Sequence, residues 1–413
     1  MRKLFNLLLL GLATSSTYAG GYRVSLQGQK ALAMGHTGVA VVNSAELAFF
    51  NPSGMVWLEN KLNVSAGATG VFATTKYQNV DTQEEFQTES NVGTPFYLNA
   101  TYKINDWLSA GLAVNTPFGS KVEWPTDWAG SNLVNNIELA AVFVNPTVSV
   151  KVTPEFSIGG GPIYVNGGVN FNRNLQDPVT GIVSQNPNGR SNVTLDATGV
   201  SSWGWNASAM FKPSDNVTLG VNYRSHIDLE VTEGEADFEN TGAFEDTTFT
   251  ASLPLPAELN FGASVQFCEK WLVTAQIDRT YWGRYESLDV YFNSDAPDSI
   301  NPRNYENTTT YRFGSQYDFK DNIVLRAGYY FDESPVASGF FSPETPRNDS
   351  HGFTAGLSYD ITEKLTVDAS FLYLYFDEID ESYDASSDDM IDSFEGSYVS
   401  NVFAPGIGLT YKM

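Results

Sequence analysis

From Leu62 onward, apolar and polar positions alternate with a period of two. Phe96, Leu98, Ala100, Tyr102 and Ile104 are interleaved with Tyr97, Asn99, Thr101 and Lys103. Leu259, Phe261, Ala263, Val265 and Phe267 are interleaved with Asn260, Gly262, Ser264 and Gln266. Tyr311, Phe313, Tyr317 and Phe319 flank Arg312, Gly314, Gln316 and Asp318, and Ile323 to Asp332 repeats the arrangement. Such alternation puts one face of a strand in an apolar medium and the other in a polar one. Counting these segments predicts about fourteen strands of roughly ten residues or more.

The connections between the strands alternate in length. Short ones fall at Asn105-Asp106, Thr153 to Glu155, Pro213 to Asn216, Cys268 to Lys270, Lys320 to Asn322 and Asp360 to Lys364. Long ones span roughly 75–93, 117–135, 171–190, 231–248, 291–307, 335–348 and 378–397. In an antiparallel barrel with an even number of strands, this sorts short turns to one end and long loops to the other, as in outer-membrane barrels. A bilayer forbids open sheet edges, so the sheet must close. Tyr102, Trp107, Phe156, Phe267, Trp271, Phe319 and Tyr359 lie beside the short turns, where an aromatic girdle belongs. The fold class predicted is all-β: a 14-stranded antiparallel transmembrane β-barrel. The chain ends in alternation up to Leu409, Tyr411 and Met413; the terminal Met stands where such barrels usually carry Phe.

Residues 20–60 break the pattern. They are rich in Gly and Ala, show no strand alternation, and contain an apolar run stopped by Asn51-Pro52-Ser53-Gly54. Pro cannot continue a helix, and the residue before it avoids the α region. A barrel of this size is wider than its own side chains can fill. The simplest home for the segment is the lumen, as a partly helical hatch, or plug, with the Pro-fixed bend packed on the wall. Ahead of it, Arg2 and Lys3, the apolar run Leu4 to Leu12 and Thr17-Tyr18-Ala19 read as a signal peptide over 1–19. The organisation expected is signal 1–19, hatch 20–60 and barrel 61–413.

Composition agrees with this reading. Charged residues make up 17% of the 413, below the roughly 25% of soluble domains. No later apolar stretch reaches the roughly 18 residues of a membrane helix. The formal charge of −25 argues against a nucleic-acid partner. The lone Cys268 excludes an intrachain disulfide, and no cofactor or metal is expected. The acidic stretch 377–395 lacks EF-hand spacing. It reads as a solvated loop, with hydrated divalent ions bridging it to lipopolysaccharide as the alternative. His36, His226 and His351 are scattered and no Gly-x-Ser-x-Gly elbow occurs, so the chain does not read as an enzyme.

Several blocks make the chain similar to the FadL-type long-chain fatty acid transporters of Gram-negative outer membranes. These are the start Gly20-Gly21-Tyr22-Arg23-Val24, the stretch Gly35 to Asn51, and Asn51-Pro52-Ser53 where that family carries Asn-Pro-Ala. Leu255 to Glu258, Asp278 to Trp282, Phe331 to Val336 and His351 to Tyr359 continue the likeness. The resemblance implies a hatch-closed barrel that catches a hydrophobic ligand among its loops and holds it in a lumen pocket. It also implies sideways release through a gap made by a kink in the third strand, beside the Asn-Pro turn. The third strand is expected over about Trp107 to Thr116, with Gly111 as its weak point. Asn51, Pro52, Ser53 and Gly111 are thus the expected gate.

The resemblance also places Tyr22 and Val24 at the pocket's inner end. A bound carboxylate needs a cation or donors to offset desolvation. By parity Lys103, Arg224, Arg312 and Arg326 point inward, with Arg173 near a loop base; Arg312 and Arg326 are the chosen carboxylate partners. Phe118, Trp124 and Trp128 in the loop 117–135 suit a capture groove. The ligand expected is a long-chain fatty acid. Aromatic hydrocarbon uptake by the same fold, or a general porin for polar solutes, are the alternatives. A monomer in contact with outer-membrane lipid is expected.

Overall fold

A computed structural model of the chain describes residues 21–89, 92–175, 190–241, 244–384 and 393–413. The expected signal peptide and the middle of the acidic 377–395 stretch lie outside the described residues. The wall consists of fourteen antiparallel strands. They are β1 (Leu62–Thr69 and, past Gly70, Val71–Asn79), β2 (Phe96–Asn105), β3 (Leu108–Glu123), β4 (Asn136–Lys151) and β5 (Phe156–Asn174). Next come β6 (Asn192–Ser214), β7 (Val217–Arg224 and Ile227–Glu239), β8 (Thr247–Leu255 and Ala257–Cys268) and β9 (Trp271–Tyr281). The circuit ends with β10 (Thr308–Lys320), β11 (Ile323–Asp332), β12 (Ser350–Asp360), β13 (Leu365–Phe376) and β14 (Phe394–Lys412). β14 pairs back onto β1 from Asn63↔Lys412 to Thr69↔Gly406, and Leu62 and Met413 exchange backbone hydrogen bonds of 2.9 Å. Among the described residues the sheet therefore closes on itself, as hydrocarbon demands.

The alternation faces outward as the pattern requires. Tyr311, Phe313, Tyr317 and Phe319 are 41–56% exposed, whereas Arg312 between them is 1% exposed. Trp107, Phe267, Trp271, Phe319 and Tyr359 are exposed beside the short turns. Where the expectation differs is at 231–248, read as a loop. There β7 and β8 run on as a ribbon, pairing Ala236 with Thr247. One face of the ribbon carries the exposed Glu233, Glu235 and Asp237, while Val231 and Ala236 are buried in a cluster with Phe249 and Val290. β6, with 23 residues, extends to about 75 Å at roughly 3.3 Å per residue, well past a hydrocarbon core of about 30 Å.

Residues 22–58 lie inside the cylinder against the inward-facing positions. They form α1 (Gln29–Leu32), α2 (Leu47–Phe50) and a 3-10 turn (Pro52–Trp57), all short and nearly all buried. Close approach is made possible by inward glycines in the wall. A Cβ on Gly328 would lie 2.1 Å from Gly35 N, and one on Gly220 would lie 2.3 Å from Val39 O. Gly35 itself has φ +69° and donates to Thr354 Oγ1 at 2.8 Å. The leading segment thus seats backbone-to-backbone in a socket of strands that lack side chains at the contact.

Candidate functional site: a strap across a break in the wall

The Asn51-Pro52 turn is bolted to β4, β5 and β6. Pro52 opens the 3-10 turn at its first position, where a missing N–H costs nothing. Asn51 Nδ2 donates to Val39 O (2.7 Å) and Ala209 O (3.3 Å). Ser53 N donates to Ser208 Oγ (2.9 Å), and Ser53 O accepts from Ser149 Oγ and Ser157 Oγ, each at 2.8 Å. The bolts at Ser53 use its backbone, so Ser in place of Ala changes little; its hydroxyl donates back to Asn51 Oδ1.

The gate at Gly111 needs correction. The ladder runs unbroken through it, Thr101↔Gly111 on one side and Gly111↔Thr147 on the other. Its missing side chain makes room for Met55: a Cβ there would lie 2.4 Å from Met55 Sδ. The irregularity lies further along β3. Pairing with β2 ends at Tyr97↔Asn115, and the register with β4 shifts between Asn115 and Phe118, at Thr116-Pro117. Pro at a bulge is the expected way to end a ladder. Beyond it, among the described residues, no wall strand pairs with the β2 side of residues 117–122.

The leading segment covers that edge. Val24 N donates to Pro117 O (2.8 Å), Gly119 N donates to Tyr22 O (3.0 Å), and Arg23 bridges Phe118 antiparallel. Residues 22–24 act as a strap, satisfying backbone groups that would otherwise face the break unpaired. Tyr22 packs edge-on to Trp282 (4.8 Å) and Tyr285 (5.6 Å), and its hydroxyl donates to Pro254 O. Arg23 reaches across the lumen to Thr310 Oγ1 (2.7 Å), Asp332 Oδ1 (2.9 Å) and Glu258 Oε1 (3.3 Å). The role of Arg23 was missed in the sequence reading, because the leading segment has no strand parity from which to infer direction.

Beside the strap lies a cavity of about 30 Å³, lined by Val24, Phe49, Phe50, Pro117 and a charged cluster. Arg23, Arg224 and Arg312 are matched there by Glu258, Asp278 and Asp332: Arg224 meets Glu258 at 2.6 Å and Arg312 meets Asp278 at 2.6 Å. The space suits a water or two rather than an acyl chain. Arg326 is not part of it. It pairs across to Gln316 while Arg312 pairs to Tyr330, four positions and about 13 Å along β10. Arg326 instead bonds Gln316 Oε1 (2.9 Å) and Ser358. Lys103 lies at the short-turn end, donating to Leu58 O (3.3 Å), and Arg173 reaches Ser299 in a loop (3.1 Å).

Phe118, Trp124 and Trp128 are fully buried in one hydrophobic cluster. Trp124 and Trp128 stack at 4.3 Å, and Trp124 Nε1 donates to Pro343 O at 3.0 Å. Phe118 reaches Tyr22 (6.1 Å). Phe118 thus packs on the strap, and the stacked Trp pair belongs to the same buried hydrophobic cluster.

Glu46 adds a pH-sensitive element. Its carboxylate accepts from Lys30 N (3.2 Å) and Ala31 N (3.0 Å) at the start of α1. Burial is the main cause that pushes its pKa from 4.5 up to about 7. A raised folded-state value stabilises the docked segment fully below pH 4.5, and that contribution is lost as pH rises through 7. Amide exchange at Lys30 and Ala31 is expected to be slower at pH 5 than at pH 8 after correction for intrinsic rates. Glu46→Gln is expected to flatten the difference.

A closed antiparallel barrel with apolar side chains outward and its long loops at one end has the architecture of an outer-membrane protein. Residues 10–413 match the family model for outer membrane protein transport proteins (OMPP1/FadL/TodX), and the chain belongs to that family. The long-chain fatty acid transport protein of Escherichia coli K12 is 20% identical, over 89% of this chain and 90% of its own. Crystal structures with the same fold include a Pseudomonas aeruginosa FadL homologue (TM-score 0.83, 20% identity, covering 95% of this chain and all of the other). Another is the toluene transporter TodX of P. putida (TM-score 0.73, 18% identity, 96% and 99% covered).

Proposed function

We propose that this chain carries long-chain fatty acids through the outer membrane. The observation that carries this reading is the strap: a short, displaceable segment covers a break in the wall and sits beside an arginine-bearing cavity. The acid is caught where the Phe118, Trp124 and Trp128 rings part. Its tail gains about 0.8 kcal/mol per CH2 buried. Its carboxylate meets Arg23, Arg224 and Arg312, competing with the carboxylates already there. Enlarging the cavity displaces Tyr22 to Val24 and uncovers the β2 side of residues 117–122, through which the ligand leaves sideways. The small cavity and seated plug speak against a general porin, which needs an open water path.

Titration of the purified barrel with palmitate and with toluene tests the ligand class. Saturable palmitate binding is expected, weakened by Arg23→Gln, with toluene binding unaffected by that change. Saturable toluene binding without palmitate binding favours aromatic hydrocarbon uptake. Saturable binding of neither overturns both.

A further inference from the structure

The cavity and the wall break are joined by one side chain. Gln27, 2% exposed, donates through Nε2 to Val24 O (2.8 Å) in the strap and to Thr116 O (3.0 Å) at the edge of the break. Both its N–H groups are therefore used, and its Oε1 is left to accept. The partner is His36 Nε2 at 3.1 Å. That fixes the tautomer: Nε2 of His36 carries the proton and donates. The His36 ring stands edge-on to Phe50 (4.8 Å), at a residue with φ +62°. Gln27, His36 and Phe50 all line the cavity, together with Val24 and Pro117.

We propose that His36 and Gln27 are positioning residues that couple ligand entry to release of the strap. A chain entering the cavity must push the Phe50–His36 edge. Rotation of the imidazole breaks Nε2–H···Oε1, the Gln27 amide is no longer held, and the carbonyls of Val24 and Thr116 lose their common donor. The strap then lifts from Pro117 and Gly119. The coupling rests on the transport reading for its purpose, and its geometry is tested separately from it.

A Val24→Cys, Gly119→Cys pair reports strap closure, since a Cβ on Gly119 would lie 3.8 Å from Val24 Cγ2. Cys268, exposed at the end of β8, is replaced by Ser. In this background His36→Phe keeps an aromatic ring on Phe50 but removes the donor. Its disulfide is expected to form about 2- to 10-fold more slowly without ligand, the equilibrium worth of one hydrogen bond. His36→Gln, which can still donate to Gln27 Oε1, is expected to restore the rate. Heat-modifiable gel mobility checks that each barrel is folded. If folded His36→Phe cross-links at the parent rate, the coupling is overturned. Palmitate is expected to slow cross-linking in the parent and have little further effect in His36→Phe. If palmitate changes no background while the ligand-free difference stands, the fatty acid reading fails and the structural link survives.

Discussion

A barrel with Val24 and Gly119 joined by a disulfide is expected to stop transporting its ligand, and to resume when reduced. The strap holds the break through two backbone hydrogen bonds, Val24 N to Pro117 O and Gly119 N to Tyr22 O. These bonds are worth about 0.5–1.5 kcal/mol each, so the uncrosslinked strap is readily exchanged. Arg23 holds it harder, because stripping its buried partners costs on the order of 3–5 kcal/mol. A ligand whose carboxylate offers Arg23 an alternative partner reduces that cost; a covalent bridge leaves no alternative. Uptake of radiolabelled palmitate by cells carrying the cysteine pair in a Cys268→Ser background measures it. The expected loss is ten-fold or greater in oxidised cells on the scale of about 1.4 kcal/mol per decade, with recovery after dithiothreitol. Unchanged uptake when fully oxidised shows that ligand leaves elsewhere.

Gly328→Val is expected to turn a closed barrel into a conducting one. The added Cβ would lie 2.1 Å from Gly35 N and 2.3 Å from Met34 C, both backbone. Neither the wall nor the leading segment can yield without losing hydrogen bonds such as Gly35 N to Thr354 Oγ1. The segment then unseats around α1, leaving a lumen of fourteen-strand width filled by water. Single-channel recording in planar bilayers is expected to show steady conductance in the variant and only brief events in the parent. A silent variant with normal folding shows that the plug tolerates displacement at this contact.

The wall was legible because its physics is local. An outward Phe313 and an inward Arg312 declare the two media, residue by residue, with no long-range information needed. The socket was written there too, as Gly220, Gly314 and Gly328 at inward parity, but a small inward residue has several meanings until its partner is known. Gly111 shows the difficulty. Both a kink and a snug contact call for glycine, and Met55 decides in favour of contact. Pro117 was the better signal for a broken ladder, since a missing donor limits pairing outright, whereas glycine only permits irregularity. The Glu233 to Asp237 ribbon reads as a loop because its buried face carries only Gly234 and Ala236 there, too small to mark a buried side, and a bulge between Val231 and Gly234 breaks the alternation. The arginines were found by parity, but parity gives direction without height, so Arg326 was grouped with Arg312 although they stand four positions apart along β10. Direction could not be assigned at all in residues 22–27, where Arg23 and Gln27 do their work.

The seam between β14 and β1 joins residues from nearly opposite ends of the chain. Such a contact carries a large loop-closure cost and forms late. Before it forms, β1 and β14 each present a bare row of amides and carbonyls, a hazard for aggregation. The cylinder therefore cannot be sealed while its last strand is still being made. Biogenesis must keep a nearly complete sheet open and guarded until that final pairing forms.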